Sequence, residues 1–309
     1  MNKPNFHPGE LAVQTRAKQD AIAARNGTLI SDTVLVGARP FIAQQWMIVL
    51  SSVDDAGALW SSVLFGQPGF VHTSEDARRI LVNVPVAERD LSDPLWANIP
   101  AHPDIGMLFL EFGTRRRYRV NGRVERLHDG GLEVVVREAY PVCPKYIRRR
   151  QVLAIGDVKL SRPLAVGTAI DTVLEGILQR ADSLFVASHH AEAGADASNR
   201  GGTPGFVKVV NKQLLRIPDF HGNSMFNTMG NLLIDPRVGL CIPDFEQQQI
   251  LQLSGQAVLH WDQNDPHNQT GGTGRFWEFT VERWLLRQSP QHVNWEHLDP
   301  SPFLPETTN

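Results

Sequence analysis

The chain has 309 residues, of which 42% are hydrophobic and 20% charged, a composition typical of a globular protein with about two domains. Its formal net charge of -3 gives no reason to expect nucleic-acid binding, which calls for a basic domain. Two cysteines are too few for a disulfide framework or a cysteine-based zinc site. No signal peptide or membrane-spanning run is visible, so we expect a cytoplasmic protein without membrane contact.

The first half of the chain predicts a helical extension followed by a set of short strands. Residues 1–37 form the extension, and residues 38–137 form the first domain. A short helical segment at 41–45 precedes the first strand, and a polar crossover with a helix separates the third strand from the fourth. The predicted strands are MIVLSS (47–52), LWSSV (59–63), RILVNV (79–84), IGMLFLEF (105–112) and YRVNGRVERL (118–127).

The second half repeats this order after a predicted linker at 138–169, which contains the basic string CPKYIRRR. Residues 170–290 form the second domain and residues 291–309 a C-terminal tail, whose Pro-rich end from Asp299 onward is expected to be frayed. The predicted strands are SLFVAS (183–188), ADASN (195–199), LLRIP (214–218), VGLCIPDF (238–245) and ILQLSGQAVLHW (250–261), with RFWEFTVERWLLRQ (275–288) as an added strand.

Residue identities show that the two halves are copies of one unit. A shift of 136 positions places Ser52 on Ser188 and superposes the strings PGFV at 68–71 and 204–207. A shift of 133 matches Pro103, Gly106 and Gly122 with Pro236, Gly239 and Gly255. Tandem duplication of a unit with short, regularly spaced strands predicts two closed barrels of Greek-key type. The fold class is therefore mainly β with short helices.

The strings DASNRGGTPGFV, HGNSMFNTMGN and DPRVGL, with HPGE near the start and VCPKYIRRR between the copies, resemble a known family. The chain is similar to the pyridoxamine 5'-phosphate oxidase-like split barrels, and most similar to their two-copy flavin-nucleotide-binding members, over residues 6–290. The resemblance implies two tandem split β-barrels that bind FMN at their interface. In most relatives that interface belongs to a homodimer. Here an intrachain pseudo-dimer makes a monomer sufficient, and a homodimer stays open.

The residues that we predict to bind the cofactor lie mainly in the second copy. Phosphate suits arginine, hydroxyl and backbone N–H groups where glycine lets the backbone approach. The resemblance places phosphate contacts on the crossover around Asn223 and Ser224, although Asx and Ser residues also cap and turn without any ligand. The predicted set is Ser198, Arg200, Asp219, Asn223, Ser224, Thr228, Asn231, Trp60 and Lys145. No catalytic residue or metal ligand is assigned.

Two departures from the family pattern qualify this site. Met225 stands where relatives often have a basic residue, which shifts the missing charge to Arg200 or to the first copy. The first copy lacks the GN string, so we expect one good phosphate site, with the first copy as the facing wall. Trp60 is expected to stack on the flavin or to fill the core. Arg115, Arg117 and Arg119 alternate along a strand and are expected to share one face, towards solvent or an anion.

Three functions remain compatible with these residues. The first is an FMN-dependent oxidoreductase that acts on a small molecule. The second is a non-catalytic flavin or haem carrier, for which His221 and His260 are candidate ligands. The third is a duplicated module that has lost its ligand. Fold alone does not decide between them.

Overall fold

The computed structural model describes residues 5–159 and 163–306, which form mostly strands joined by short helices. The helices are α1 (Pro8–Arg16), α2 (Asp20–Gly27), α3 (Arg39–Ala43), α4 (Leu95–Ala101), α5 (Thr172–Arg180) and α6 (Asn227–Ile234). Among the residues described, no helix has the length and apolar character needed to span a membrane.

The residues described form seventeen strands, in two similar groups and three additional strands. The first group is β1 (Met47–Val53), β2 (Leu59–Phe65), β3 (Val71–Thr73), β4 (Arg79–Asn83), β5 (Asp104–Glu111), β6 (Arg116–His128) and β7 (Gly131–Val142). Then come β8 (Arg150–Val158) and β9 (Pro163–Gly167). The second group is β10 (Ser183–His190), β11 (Gly194–Gly201), β12 (Lys208–Asn211), β13 (Leu214–Pro218), β14 (Arg237–Asp244), β15 (Gln249–His260) and β16 (Phe276–Gln288), followed by β17 (Gln291–His297).

The two groups build sheets of identical strand order. The first sheet runs β2-β1-β5-β6-β7-β4-β3, and the second runs β11-β10-β14-β15-β16-β13-β12, with β9 beside β16. Every strand of the first sheet sends apolar side chains into one core, as expected when a sheet closes on itself, and the second sheet has its own core. The predicted fold class of two tandem β-barrels with short helices is confirmed.

Strand register supports the duplication residue by residue. Ser51 pairs with Gly106 in the first sheet, and Ala187 pairs with Gly239 in the second, as the two shifts require. A register shift occurs at Gly122 and again at its counterpart Gly255. A Cβ at these glycines would lie 2.2 Å from the Val135 oxygen and 2.0 Å from the Thr280 oxygen. Both copies therefore need glycine there because the backbone of the next strand is too close for a side chain.

The two barrels pack against each other through matching strands. A Cβ at Gly106 of β5 would lie 2.6 Å from the Ala197 nitrogen of β11, and one at Gly239 of β14 would lie 2.6 Å from the Leu59 oxygen of β2. An apolar cluster fills the rest of the interface: Met47, Val49, Val63, Leu108, Leu110, Phe112, Ile147, Phe185, Ala197, Cys241 and Ile250. The chain therefore forms an intrachain pseudo-dimer.

Strands also appear in segments that we predicted as linker and tail. The string EVVVREAY lies in β7, which pairs with β6 in the centre of the first sheet, so the first barrel continues past residue 137. The remaining linker contains β8 and β9, and β17, at the start of the predicted C-terminal tail, pairs with β8. The identities that trace the duplication end at Gly122 and Gly255. The partner strands therefore become visible only when the chain is folded.

Candidate functional site between the two barrels

A cleft lies where the first barrel meets the second barrel. Its walls are the start of β6 and residues 142–146 from the first copy, and the end of β11 and residues 219–229 from the second. Seven of the predicted site residues line it: Ser198, Arg200, Asp219, Asn223, Ser224, Thr228 and Lys145. The structure thus brings together residues that the sequence separates by more than 50 positions.

Three arginines give the cleft its positive charge. Arg119 of β6 forms an ion pair with Asp196 at 3.4 Å, whereas Arg117 and Arg200 have no carboxylate partner among the residues described. The Nε atoms of Arg117 and Arg200 are buried without a hydrogen-bond partner. Their closest polar contacts are to backbone oxygens, from Arg117 to Lys145 and from Arg200 to Asn199, both at 3.4 Å. The cleft therefore holds two arginines without an ion-pair partner among the residues described.

The surroundings of these arginines disfavour their charge. Burial lowers the pKa of Arg117 to about 10, and the nearby charges of Arg200 and Arg119 act in the same direction. Burial also lowers the pKa of Arg200, against the opposing effect of Asp219. Each guanidinium stays protonated at neutral pH, but its burial costs free energy that a bound anion would recover.

Hydroxyl and amide groups connect the two copies at the base of the cleft. Arg119 donates to the Ser198 hydroxyl at 2.6 Å and to the Asn227 side-chain oxygen at 3.0 Å. The Ser198 and Thr228 hydroxyls are 2.8 Å apart. Asn199, which we did not predict, also lines the cleft, and its buried side-chain oxygen has no partner.

The crossover that follows β13 adopts a constrained backbone beside the cleft. Ser224 and Phe226 have φ values of 65° and 59°, in the left-handed region that non-glycine residues rarely adopt. The Asn223 side-chain oxygen accepts from the Met225 nitrogen at 3.1 Å, and the Asn26 amide binds the Asn223 carbonyl at 2.7 Å. Phe226 is the N-cap of α6, and no side chain caps the helix there. The first residues of α6 line the cleft, and the first N–H groups of a helix have no partner within it.

The N-terminal extension supports the cleft from behind. His7 contacts the Asn231 side-chain oxygen at 2.8 Å, and the Asn227 amide donates to Glu10 at 2.5 Å. Asn231 donates to Asp196 at 3.0 Å and does not line the cleft, so it acts through its neighbours. Burial, together with the charge of Asp196, raises the pKa of Glu10 to about 8. The HPGE string was part of the resemblance, but its polar contacts with α6 could not be anticipated.

Trp60 takes the second of its two expected positions, a buried one, and Asp219 lies at the cleft with its carboxylate already paired. Trp60 lies on β2 outside the cleft, and its indole donates to Asp54 at 3.1 Å. Its backbone lies against Gly239, because β2 packs on β14 across the interface. Asp219 does line the cleft, but its carboxylate pairs with Arg275 at 2.9 Å and so holds the long loop before β16. Trp60 therefore does not stack on a ligand in this cleft, and the Asp219 carboxylate already has a cationic partner.

Only two of the three arginines that we expected on one face of β6 share that face. Arg117 and Arg119 point into the cleft, but Arg115 lies in the preceding turn with a φ of 62°. Arg115 pairs with Asp299 at 2.6 Å. Met225 is buried outside the cleft beside Phe6 and Tyr140. The position where relatives often have a basic residue therefore supplies no positive charge here. The positive charge instead comes from Arg200 and the first copy.

The counterpart cleft on the other side of the pseudo-dimer has the opposite charge. Register equates Arg117, Arg119, Asn199 and Arg200 with Ile250, Gln252, Val63 and Leu64. Its buried cation, Arg287, already pairs with Asp90 at 2.9 Å and with Asp93 at 2.5 Å. Because two carboxylates face one guanidinium, this cleft does not attract an anion.

The described part of the chain holds no cluster of three or more His, Cys, Asp or Glu side chains suited to a metal ion. The two candidate haem ligands lie apart. His260 pairs with Glu278 at 3.2 Å, and His221 is exposed on the crossover beside the cleft.

Comparison with known proteins agrees with the fold. Residues 37–155 match the family model described as pyridoxamine 5'-phosphate oxidase, which confirms the resemblance that the sequence showed. No curated protein matches the chain.

Three solved structures illustrate the similarity. HupZ of Group A Streptococcus is 11% identical, with 37% of this chain and 91% of that chain covered and a TM-score of 0.31. A FAD-binding protein of Mesorhizobium loti is 11% identical, with 40% and 96% covered and a TM-score of 0.29. The heme storage protein HutZ of Vibrio cholerae is 13% identical, with 36% and 88% covered and a TM-score of 0.27. At these scores the neighbours carry no argument about function.

Proposed function

We propose that this chain, whose first barrel matches the pyridoxamine 5'-phosphate oxidase family, binds one FMN in the cleft between its barrels. The observation that carries the proposal is the pair Arg117 and Arg200, two cations in the cleft without a carboxylate partner among the residues described. A phosphate is the anion that best suits guanidinium groups and hydroxyls placed together.

The residues of the cleft fit this group. Arg117, Arg200, Ser198 and Thr228 would hold the phosphate, with backbone N–H groups at the start of α6 as further donors. The unpartnered Nε atoms of both arginines are donors that a phosphate oxygen satisfies. The cationic group that Met225 does not supply is provided by Arg117, which comes from the other copy.

The same geometry supports a monomeric site. Both walls come from one chain, so no second subunit is needed to complete it. We infer that the partner is a small molecule and that a homodimer is not required for binding.

For the reaction, we infer an FMN-dependent oxidoreductase. The flavin would supply hydride or electron transfer, and the protein would bind, orient and shield the reactants. Tyr146 lines the cleft, and its hydroxyl donates to the His221 carbonyl at 2.9 Å. Burial raises the pKa of Tyr146 to about 12, so this hydroxyl keeps its proton at neutral pH.

The test is the visible spectrum of the purified protein, followed by titration of flavin-free protein with FMN. Flavin bands and tight binding of FMN, with riboflavin bound far more weakly because it lacks the phosphate, are the expected results. Equal affinity for FMN and riboflavin would overturn the phosphate assignment. A Soret band in place of flavin bands would favour the haem carrier and direct attention to His221.

A further inference from the structure

A second cleft adjoins the first on the far side of Phe220 and encloses about 390 Å³. We call it the Phe220 cleft. Its walls include three phenylalanines and three prolines: Phe206, Phe220, Phe276, Pro204, Pro218 and Pro305. Aromatic and proline walls of this kind suit a flat, apolar molecule.

The Phe220 cleft is built from parts that the first barrel lacks. The loop between β6 and β7 is only residues 129–130, whereas its counterpart between β15 and β16 is residues 261–275. This long loop contributes His267 and Gln269, and the chain's last described segment contributes Leu304 and Pro305. The loop and this segment are joined by a hydrogen bond from Asn268 to the Glu306 carbonyl at 3.2 Å. An addition confined to one copy requires an explanation beyond the shared barrel fold.

The charged groups at the Phe220 cleft are cations. Lys208 is exposed at its edge, and Arg216 lies with its guanidinium 4.2 Å above the Phe276 ring. No Asp or Glu lines the cleft among the residues described. The nearest acidic partner of Arg216 is Glu278 at 3.7 Å, and about a third of the Arg216 side chain remains exposed. This pairing is loose enough for Arg216 to bind a second anion.

We propose that the Phe220 cleft is a binding site for a flat, mainly aromatic molecule that carries one acidic group. Its apolar part would lie between the phenylalanine and proline walls, and its acidic group would face Lys208 and Arg216. The inference does not depend on FMN, because none of the arginines of the first cleft takes part. Phe220 lines both clefts and packs against Tyr146 at 4.7 Å, so a ligand here lies next to the first cleft.

The probe for this site is anilinonaphthalene sulfonate, an aromatic anion that fluoresces when it leaves water. We expect saturable binding to the intact chain, and a roughly tenfold or greater weakening in Arg216→Ala and in Lys208→Glu, because each removes a charge-assisted contact. Uncharged anilinonaphthalene should bind the parent and both variants with equal affinity. Arg126→Ala is the matched control, since Arg126 is an exposed arginine of the first barrel.

Two outcomes overturn the proposal. One is displacement of the probe by FMN, which would place the probe in the first cleft. The other is unchanged sulfonate affinity in both variants, which would show that the cations do not select the ligand. Lys208 is exposed, so its substitution leaves the fold intact, and circular dichroism verifies this. Because FMN content is read from flavin absorbance, failure of flavin binding is recognised separately.

Discussion

Arg117 and Arg200 are the residues on which the proposed binding of FMN would depend. Truncation of either one, as Arg117→Ala or Arg200→Ala, removes a charge-assisted contact to phosphate. FMN affinity should fall roughly tenfold to a hundredfold, as measured by flavin fluorescence titration. Arg126→Ala, a change in an exposed arginine on the same strand as Arg117, is the control and should have no effect.

Stability provides an independent measurement for the same variants. In flavin-free protein, Arg200→Ala removes a half-buried cation that has no carboxylate partner among the residues described. The unliganded variant should therefore unfold at the same or a higher temperature than the parent, because a site built for an anion costs stability when it is empty. A large loss of stability without flavin would show that Arg200 has a structural role instead.

Glu10 is a second residue whose chemistry the fold alters. Its pKa is raised from 4.5 to about 8, so between these values the folded chain keeps a proton that the unfolded chain releases. The free energy of unfolding should therefore fall by an amount on the order of a few kcal/mol as pH rises from 4.5 to about 8. Above about pH 8 it should level off.

Urea unfolding between pH 5 and pH 9 measures this effect. Glu10→Gln has no carboxyl group to titrate at this position, so its stability should not fall with pH for this reason. The stability of Glu10→Gln relative to the parent should therefore increase as pH rises. Glu75→Gln, at an exposed glutamate, should follow the parent's curve. Parallel curves for the parent and Glu10→Gln would contradict the prediction.

At the scale of elements, helices α1 and α6 meet through two glycines. A Cβ at Gly230 would lie 2.5 Å from the Glu10 Cγ, and one at Gly9 would lie 2.2 Å from the Gly230 oxygen. Alanine normally favours a helix over glycine by about 1 kcal/mol. Gly230→Ala should nevertheless destabilise the protein by about 1–3 kcal/mol, because it forces the N-terminal helix away from α6.

The control for this prediction is Gly37→Ala. No atom lies within 4 Å of a Cβ at Gly37, so this change should be neutral or slightly stabilising in urea unfolding. If both alanine variants were equally stable, the close packing of α1 on α6 would not matter to the fold.

At the scale of the whole molecule, the pseudo-dimer offers two related clefts of opposite charge. The Arg117 cleft has two arginines without a carboxylate partner in the described part of the chain, whereas the counterpart has Arg287 held by Asp90 and Asp93. We therefore expect one FMN per chain, measured as flavin released from a known amount of saturated protein. Two equivalents would show that the counterpart cleft also binds. Arg287→Ala should cost about 3–5 kcal/mol of stability, because it leaves two buried carboxylates without their cation, and it should add no flavin.

The sequence by itself determined the duplication and the fold class. Gly106 and Gly239, and likewise Gly122 and Gly255, repeat because backbone atoms approach too closely at each place for any side chain. Local patterns also located the crossover at Asn223 and Ser224. What only the tertiary structure decided is which side chains meet: Arg117 beside Arg200, Asn227 against Glu10, and Trp60 against the other barrel instead of the cleft. These contacts join residues far apart in the chain, and their distances depend on how the two barrels pack. Local patterns describe only the neighbours along one strand or helix, so they carry no information about that packing.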